Sequence, residues 1–399
     1  MKARCIWKVL LAVSGSLLLF SALTVFMPCA AAERPWEKPF ENILMEAEEG
    51  NPRMQFLSGW SYTYGRPGVT IDYENAASWF ERSAEQGNAN AAAMLGYLLF
   101  QGLGVQRDPD MALALWKKSL AGLEEGVRQG NVYSLQILSD LIVNGKVTYG
   151  GPESAVRLAK AAAASGEPQA VNHLAQLYAT GYGLSRDYSR ARILYEKAAE
   201  AGNSHAMYNM GNLYRDGRGV ERDYVKAMIW YKKAAQSGHS TAANDIGWLY
   251  GQGGHGINRN YQLALKWYKK AAEMGHGMAM NNIGWLYQQG QGVERDYQEA
   301  LRWYRRAAER RNAIAMNNIG LFYANGWGVE QNHPEALKWF LHAANLGYPA
   351  AMFNVGSLYQ YGLGVEKNPA KAEEWFARAA AAGHRGAREK LEILKGSTP

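Results

Sequence analysis

The eighteen residues GVERDYQEALRWYRRAAE at 292–309 have a near copy, GVERDYVKAMIWYKKAAQ, at 219–236. Self-similarity constrains a chain more tightly than its composition does, because a recurring unit has to pack against its own neighbours. With the polar residue of the RDY phrase as ruler, the matching positions are Asp72, Asp108, Gly151, Asp187, Asp223, Asn260, Asp296, Asn332 and Asn368. Their spacings are 36, 43, 36, 36, 37, 36, 36 and 36 residues, which makes nine units. The long spacing contains LAGLEEGVRQG at 120–130, and its excess is close to two helical turns, so it can lengthen a helix while keeping the buried face. The extra residue of the 37-residue spacing falls in the glycine-rich GQGGHG at 251–256.

Each unit spells helix, tight loop, helix, turn. Ala279, Ile283, Leu286, Tyr287 and Gly290 recur at the spacing of one apolar helical face. A glycine in this helix, Gly284, reappears as Gly211, Gly247, Gly320 and Gly356. Mid-helix glycine costs about 1 kcal/mol relative to alanine, so close approach of a neighbouring helix is expected there. The loop reads Gly-x-Gly-Val, its first glycine suited to the left-handed end of a helix. Asp or Asn then stands where an N-cap belongs, Asp296 and Glu299 have capping-box spacing, and Pro109, Pro152 and Pro369 suit a first helical turn. The second helix turns Ala300, Leu301, Tyr304, Ala307 and Ala308 inward and its arginines outward. One such hairpin cannot cover its own apolar face, and only another stacked on it closes the core. The expected fold is all-α, a right-handed α/α superhelical solenoid of about nine helix-turn-helix units over 53–386, with 387–399 as a capping helix and tail in which Ala387, Leu391 and Leu394 cover the last unit.

These phrases, A-x-x-x-[LIV]-G-x-x-Y, then G-x-G-V-x-x-D, then A-x-x-W-[YF]-x-x-A-A-x-x-G, resemble the Sel-1-like repeat, a relative of the tetratricopeptide repeat. The likeness covers nearly all of 53–386, strongest from 170 onward. It implies a scaffold or adaptor that holds other proteins, and exported bacterial members include signalling regulators and components of polysaccharide export. A cysteine-pair-rich subgroup is linked to β-lactam binding and hydrolysis, but this chain lacks those cysteines.

Three cations, Lys2, Arg4 and Lys8, precede an apolar run from Val9 to Met27, and Ala30, Ala31 and Ala32 follow before Glu33. That order is a secretory signal over 1–32, or an uncleaved N-terminal anchor and the chain's one membrane contact, with 33–52 as a linker. The expected location is outside the cytoplasm, in a bacterial periplasm. Cys5 and Cys29 both fall in this segment, so cleavage leaves a mature chain without thiols. The formal charge is +7, from 43 basic and 36 acidic residues; without the three leader cations it is +4, and no basic run accompanies it. Nucleic acid is therefore not an expected partner.

No catalytic motif, cofactor or metal site is read from the sequence, and the chain is not expected to be an enzyme. His239, His276 and His384 occupy the same turn of different units, adjacent ones about 10 Å apart by hairpin stacking, too far for a shared metal and better suited to turn hydrogen bonds. His173 shares a column with Asn209, Asp245, Asn282, Asn318 and Asn354, expected to bond neighbouring backbone. The glycine loops lack the strand and the Lys-Ser or Lys-Thr of a phosphate loop. Trp230, Trp267, Trp303, Trp339 and Trp375 read as packing between units. Arg311 replaces the turn glycine of other units and joins Arg305, Arg306 and Arg310 in a basic cluster.

First helices of such solenoids line the concave surface, so the candidate partner-binding columns are Tyr208, Asn244, Asn281, Asn317 and Phe353, then Asn212, Trp248, Trp285 and Leu321, then Arg215 and Gln288. Aromatic rings beside amides and Arg are the materials of a protein hot spot, and they also suit a sugar. Trp248 and Trp285 read equally as binding surface or as packing. The leading expectation is a non-enzymatic scaffold that binds a protein; the alternative is a module for an envelope polysaccharide or peptidoglycan, and third a β-lactam hydrolase.

Overall fold

The computed structural model describes residues 35–396, so the expected signal segment lies outside the described residues. Twenty α-helices and a short 3-10 turn, Pro35–Glu37, make up its regular structure. Helix α1 (Phe40–Glu48) leads into nine hairpins: α2 (Pro52–Tyr64) with α3 (Tyr73–Glu85), α4 (Ala89–Gln101) with α5 (Pro109–Arg128), α6 (Val132–Val143) with α7 (Gly151–Ala163), α8 (Pro168–Thr180) with α9 (Tyr188–Glu200), and α10 (Ser204–Asp216) with α11 (Tyr224–Gln236). They continue as α12 (Ser240–Gln252) with α13 (Tyr261–Glu273), α14 (Gly277–Gln289) with α15 (Tyr297–Glu309), α16 (Ala313–Asn325) with α17 (His333–Asn345), and α18 (Pro349–Tyr361) with α19 (Pro369–Ala381). Helix α20 (Arg385–Gly396) ends the array. Each helix packs on the helices before and after it, which is the solenoid expected from the repeat.

Residues 33–52 are not a plain linker. Helix α1 buries Ile43 and Ala47 against the first hairpin, capping that end of the core. At the other end Ala387 is fully buried and Leu391 packs beside it; Leu394 lies outside the described side chains.

Local chemistry sets the hairpin. Asp187, Asp223, Asp296 and Asn368 cap the second helices, and the N–H of each donates to a tyrosine carbonyl of the preceding helix, as Asp296 does to Tyr287 at 3.0 Å. That bond closes the loop and explains why the Asp296 capping box is only half made. The Asp296 carboxylate accepts from the Glu299 N–H, but the Asp296 N–H is already committed, so the Glu299 carboxylate pairs with Arg302 at 2.8 Å. In the third unit the cap is Gly150, not Gly151, and Pro152 sits second in the helix rather than first. The insertion at 120–130 makes α5 one continuous helix of 20 residues where its counterparts have 13, and Leu123 in the added turns is fully buried.

The mid-helix glycines admit rings. A Cβ on Gly284 would lie 2.7 Å from Cε1 of Tyr304, a fully buried ring of the partner helix. The Trp column packs half-buried on the core as expected, with cations over the outer faces: Lys233 is 4.3 Å from the Trp230 centroid and Arg378 is 4.1 Å from that of Trp375.

One feature departs from nearest-neighbour stacking. The Trp60 indole N–H of the first hairpin donates to Glu167 Oε1 at 3.2 Å, and the Ser204 hydroxyl donates to the Tyr64 carbonyl at 3.1 Å. A Cβ on Gly238 would lie 2.8 Å from the backbone nitrogen of Ile71. The first hairpin and its loop therefore dock on the turns that start hairpins four to six, and the superhelix closes on itself.

Candidate binding surface

An asparagine ladder runs through the first helices. Asn282 Nδ2 donates to Asn244 Oδ1 at 3.0 Å, Asn318 to Asn281 at 3.0 Å and Asn354 to Asn317 at 2.9 Å, while Asn209 donates to Asn172 at 3.0 Å. The column expected to bond backbone instead bonds side chains of the preceding hairpin: its four asparagines reach amides, His173 meets Ser139 and Asp140, and Asp245 accepts from the Tyr208 hydroxyl. Asn244, Asn281 and Asn317 are 8%, 6% and 5% exposed, so these candidate contacts are turned into the ladder and away from a partner. A buried amide finds its hydrogen bonds at home, because leaving them unmade costs about 1–3 kcal/mol.

Other candidates are similarly engaged. The Tyr208 hydroxyl donates to Asp245 at 3.1 Å, and its ring stacks on His239 with centroids 4.5 Å apart. Burial, with Asp245 beside it, pushes the Tyr208 hydroxyl up to about 12. Asn212 accepts from Tyr231, Gln288 accepts from Tyr304 at 2.6 Å, and Arg215 pairs with Asp216 at 2.7 Å. Leu321 is half-buried on the core, and Phe353 stacks on His384 at 4.5 Å. Trp248 and Trp285 differ: they are 44% and 43% exposed. Successive in the array, they share a cleft of about 250 Å³ with Gln252, Arg259 and Tyr261.

A larger cleft of about 590 Å³ follows from the closure of the superhelix. Residues 71–74 form one side, and Gln176, Tyr208, His239, Glu273 and Arg310 belong to the other. A second cleft of about 390 Å³, between Asp140 and Arg218, shares Gln176 and Asn209 with it. Sequence columns alone could not find Asp72, Glu74 or Glu273 as groove residues, since only long-range docking brings the first hairpin there.

The histidines act as caps. Nδ1 of His239, His276 and His384 accepts from the N–H of Ala242, Ala279 and Ala387 at 3.2, 3.2 and 3.1 Å, where other units use asparagine. His173 lies 2.8 Å from Ser139 Oγ and 2.7 Å from Asp140 Oδ1. The order of contacts is that of a hydrolytic triad, but Ser139 is fully buried and its hydroxyl donates to the Ala155 carbonyl at 2.8 Å, so a substrate cannot reach it. Among the described residues no group of three or more His, Cys, Asp or Glu is placed to hold a metal, and no helix is long and apolar enough to cross a membrane.

The Sel1 repeat profile matches residues 52–88, 89–121, 168–203, 204–239, 240–276, 277–312, 313–348 and 349–384, well over half of the chain. The chain belongs to the Sel1 repeat family. The internal unmatched stretch, 122–167, holds the last turns of the lengthened α5 and the α6–α7 hairpin that follows it. Among solved structures it is similar to c5321, a protective antigen present in uropathogenic Escherichia coli strains displaying an SLR fold, at 31% identity over 90% of this chain and 75% of that one, with a TM-score of 0.58. A Sel1 repeat protein from Oxalobacter formigenes is 33% identical over 61% of this chain and 96% of its own, with a TM-score of 0.53. An uncharacterised protein of Neisseria meningitidis serogroup B is 29% identical over 160 residues, and the match spans 31% of that relative's length. Sel1 repeat proteins typically mediate protein–protein interaction, and the scaffold is generally non-catalytic.

Proposed function

We propose that this Sel1 repeat protein is an exported, non-catalytic scaffold that binds a partner protein through the surface of its first helices. The observation that carries the reading is the exposed pair Trp248 and Trp285, side by side over one cleft in a chain that turns most of its other candidate contacts inward. Large rings left in water at adjacent repeats are the anchors a protein partner can bury. Export rests on the basic, apolar and small-residue order of residues 1–32. The test is affinity purification of the tagged chain from its own envelope after mild crosslinking, alongside Trp248→Ala combined with Trp285→Ala. A stoichiometric protein lost from the double variant supports the scaffold. Retention of purified envelope polysaccharide, with no protein captured, would replace it with the glycan module, for which the same rings beside Gln252 are suitable.

A further inference from the structure

We infer that the inner cleft takes an extended, basic peptide segment of the partner. This rests on the scaffold reading and narrows it to a chemistry.

The two clefts share Gln176 and Asn209, so they form one groove running past hairpins three to seven, and the docked first hairpin lines its larger part through residues 71–74. Stacked hairpins advance about 10 Å and an extended chain about 3.4 Å per residue, so the groove holds roughly a dozen residues of peptide. Its sign is opposite to that of the whole chain. The lining carries carboxyls from Asp72, Glu74, Asp140, Asp216 and Glu273 against the guanidiniums of Arg218 and Arg310, whereas the chain has a formal charge of +7. Asp140 is engaged by His173, and Asp216 by Arg215 and Arg218. Glu74 and Glu273 are exposed and make no ion pair among the described residues; Glu74 comes from the docked first hairpin and Glu273 from the end of α13. Two lining histidines add no compensating charge at neutral pH: burial pushes His205 down to about 4 and holds His239 well below the ordinary imidazole range.

Two unpaired carboxylates lining one groove favour a cationic occupant and repel nucleic acid or an acidic polysaccharide. The Gln176 side-chain amide and the Ser240 and Thr241 hydroxyls, none with a side-chain hydrogen bond to another described residue, can serve an extended backbone. Their number and polarity suit a peptide strand better than a folded apolar surface.

The test uses the mature protein and two fluorescein-labelled twelve-residue peptides, one with four lysines spaced by Gly and Ser, the other with four glutamates in their place. Binding is read by fluorescence anisotropy at 50 and 300 mM NaCl. The basic peptide is expected to bind and to weaken with salt, and the acidic one not to bind. Glu74→Gln with Glu273→Gln should weaken the basic peptide about tenfold. A control pair, Glu294→Gln with Glu366→Gln, removes the same charge from exposed loops outside the groove and should change affinity by less than about twofold. Equal weakening by both pairs, equal binding of both peptides, or no binding of the basic one overturns the inference. If none of these peptides binds while the partner captured from the envelope still depends on Trp248 and Trp285, the scaffold reading survives and the basic groove ligand does not.

Discussion

The carboxyl of Glu167 makes the stability of the closed superhelix depend on pH in a direction that can be worked out. Glu167 is 3% exposed and caps α8, with Oε2 accepting from the Ala170 N–H at 2.6 Å and Oε1 from the Trp60 indole at 3.2 Å. The rings of Trp60, Tyr64 and Tyr133 surround it, and it has no ion-pair partner among the described residues. Arg66 lines the same cavity, but its guanidinium donates to the carbonyls of Trp36 and Lys38. Burial outweighs the cap bonds and pushes Glu167 from 4.5 up to about 7. The folded chain therefore keeps its proton to about pH 7, while the unfolded chain releases it near 4.5. The contribution to stability is full below 4.5, declines as pH rises, and is lost above 7, a swing of about 3 kcal/mol. His205 and His239 act in the opposite sense: their folded values are depressed, so their contribution is present above 6.5 and lost as pH falls. The wild-type profile should thus peak in the mildly acidic range. Glu167→Gln removes the titration but offers one acceptor oxygen in place of two, so one of the two donors meets the amide nitrogen. The variant should lose about 1–3 kcal/mol at every pH, and its stability should hold from pH 6.5 to 8.5 while the wild type declines. Urea midpoints across pH 5–8.5, with amide exchange in α2 and α8 locating the change, measure this. If the wild type declines no more steeply than the variant between pH 6.5 and 8.5, Glu167 is already ionised in the folded chain and held by the helix N-terminus, and the reasoning fails.

Asn318→Ala removes a ladder rung and leaves the Asn281 oxygen, 3.0 Å away in the parent, without its donor; calorimetry should show a loss of about 1–3 kcal/mol. Arg311 holds φ +58° at a turn where Gly275 and Gly347 stand at +80° and +86°. Arg311→Gly should therefore raise the thermal midpoint, with a gain of about 1 kcal/mol in stability. Gly238 combines φ +86° with the close approach to Ile71. Gly238→Val should undock the first hairpin, which small-angle scattering would register as a larger radius of gyration at unchanged helicity.

The repeat was legible because each hairpin is built from short-range chemistry. The Asp296 cap, the Gly290 helix end and the i, i+4 face of α14 are all local, and they recur often enough for one unit to confirm the next. The 120–130 insertion was legible for the same reason: a seven-residue excess preserves helical phase, and Leu123 stays buried. The binding columns were less so. A column records which residues align on successive helices but not whether an amide points to solvent or to the hairpin before it. Asn281 and Trp285 sit one turn apart on α14, yet one is 6% exposed and the other 43%. The ladder takes the short amide, whose reach matches the step between helices, and the large indole has no matching slot.

The inner groove was illegible for a stronger reason. Its walls meet through contacts between residues 107 and 140 positions apart, as Trp60 with Glu167 and Tyr64 with Ser204. Repeat periodicity fixes each step of a solenoid, whereas the accumulated rotation that decides whether the first hairpin meets the fifth comes from small differences among units. The loops supply one such difference: Arg66 and Val69 pair across a tight bridge in the loop that docks, as Gly254 and Ile257 do in the sixth unit, where the other units have none among the described residues. Closure then brings Glu74 and Glu273, surface carboxylates of separate hairpins, into the lining of one cleft. Under the proposed function, partner selection would depend on closure as well as on the exposed tryptophans, so a variant that opens the first hairpin should lose groove binding with every groove residue still in place.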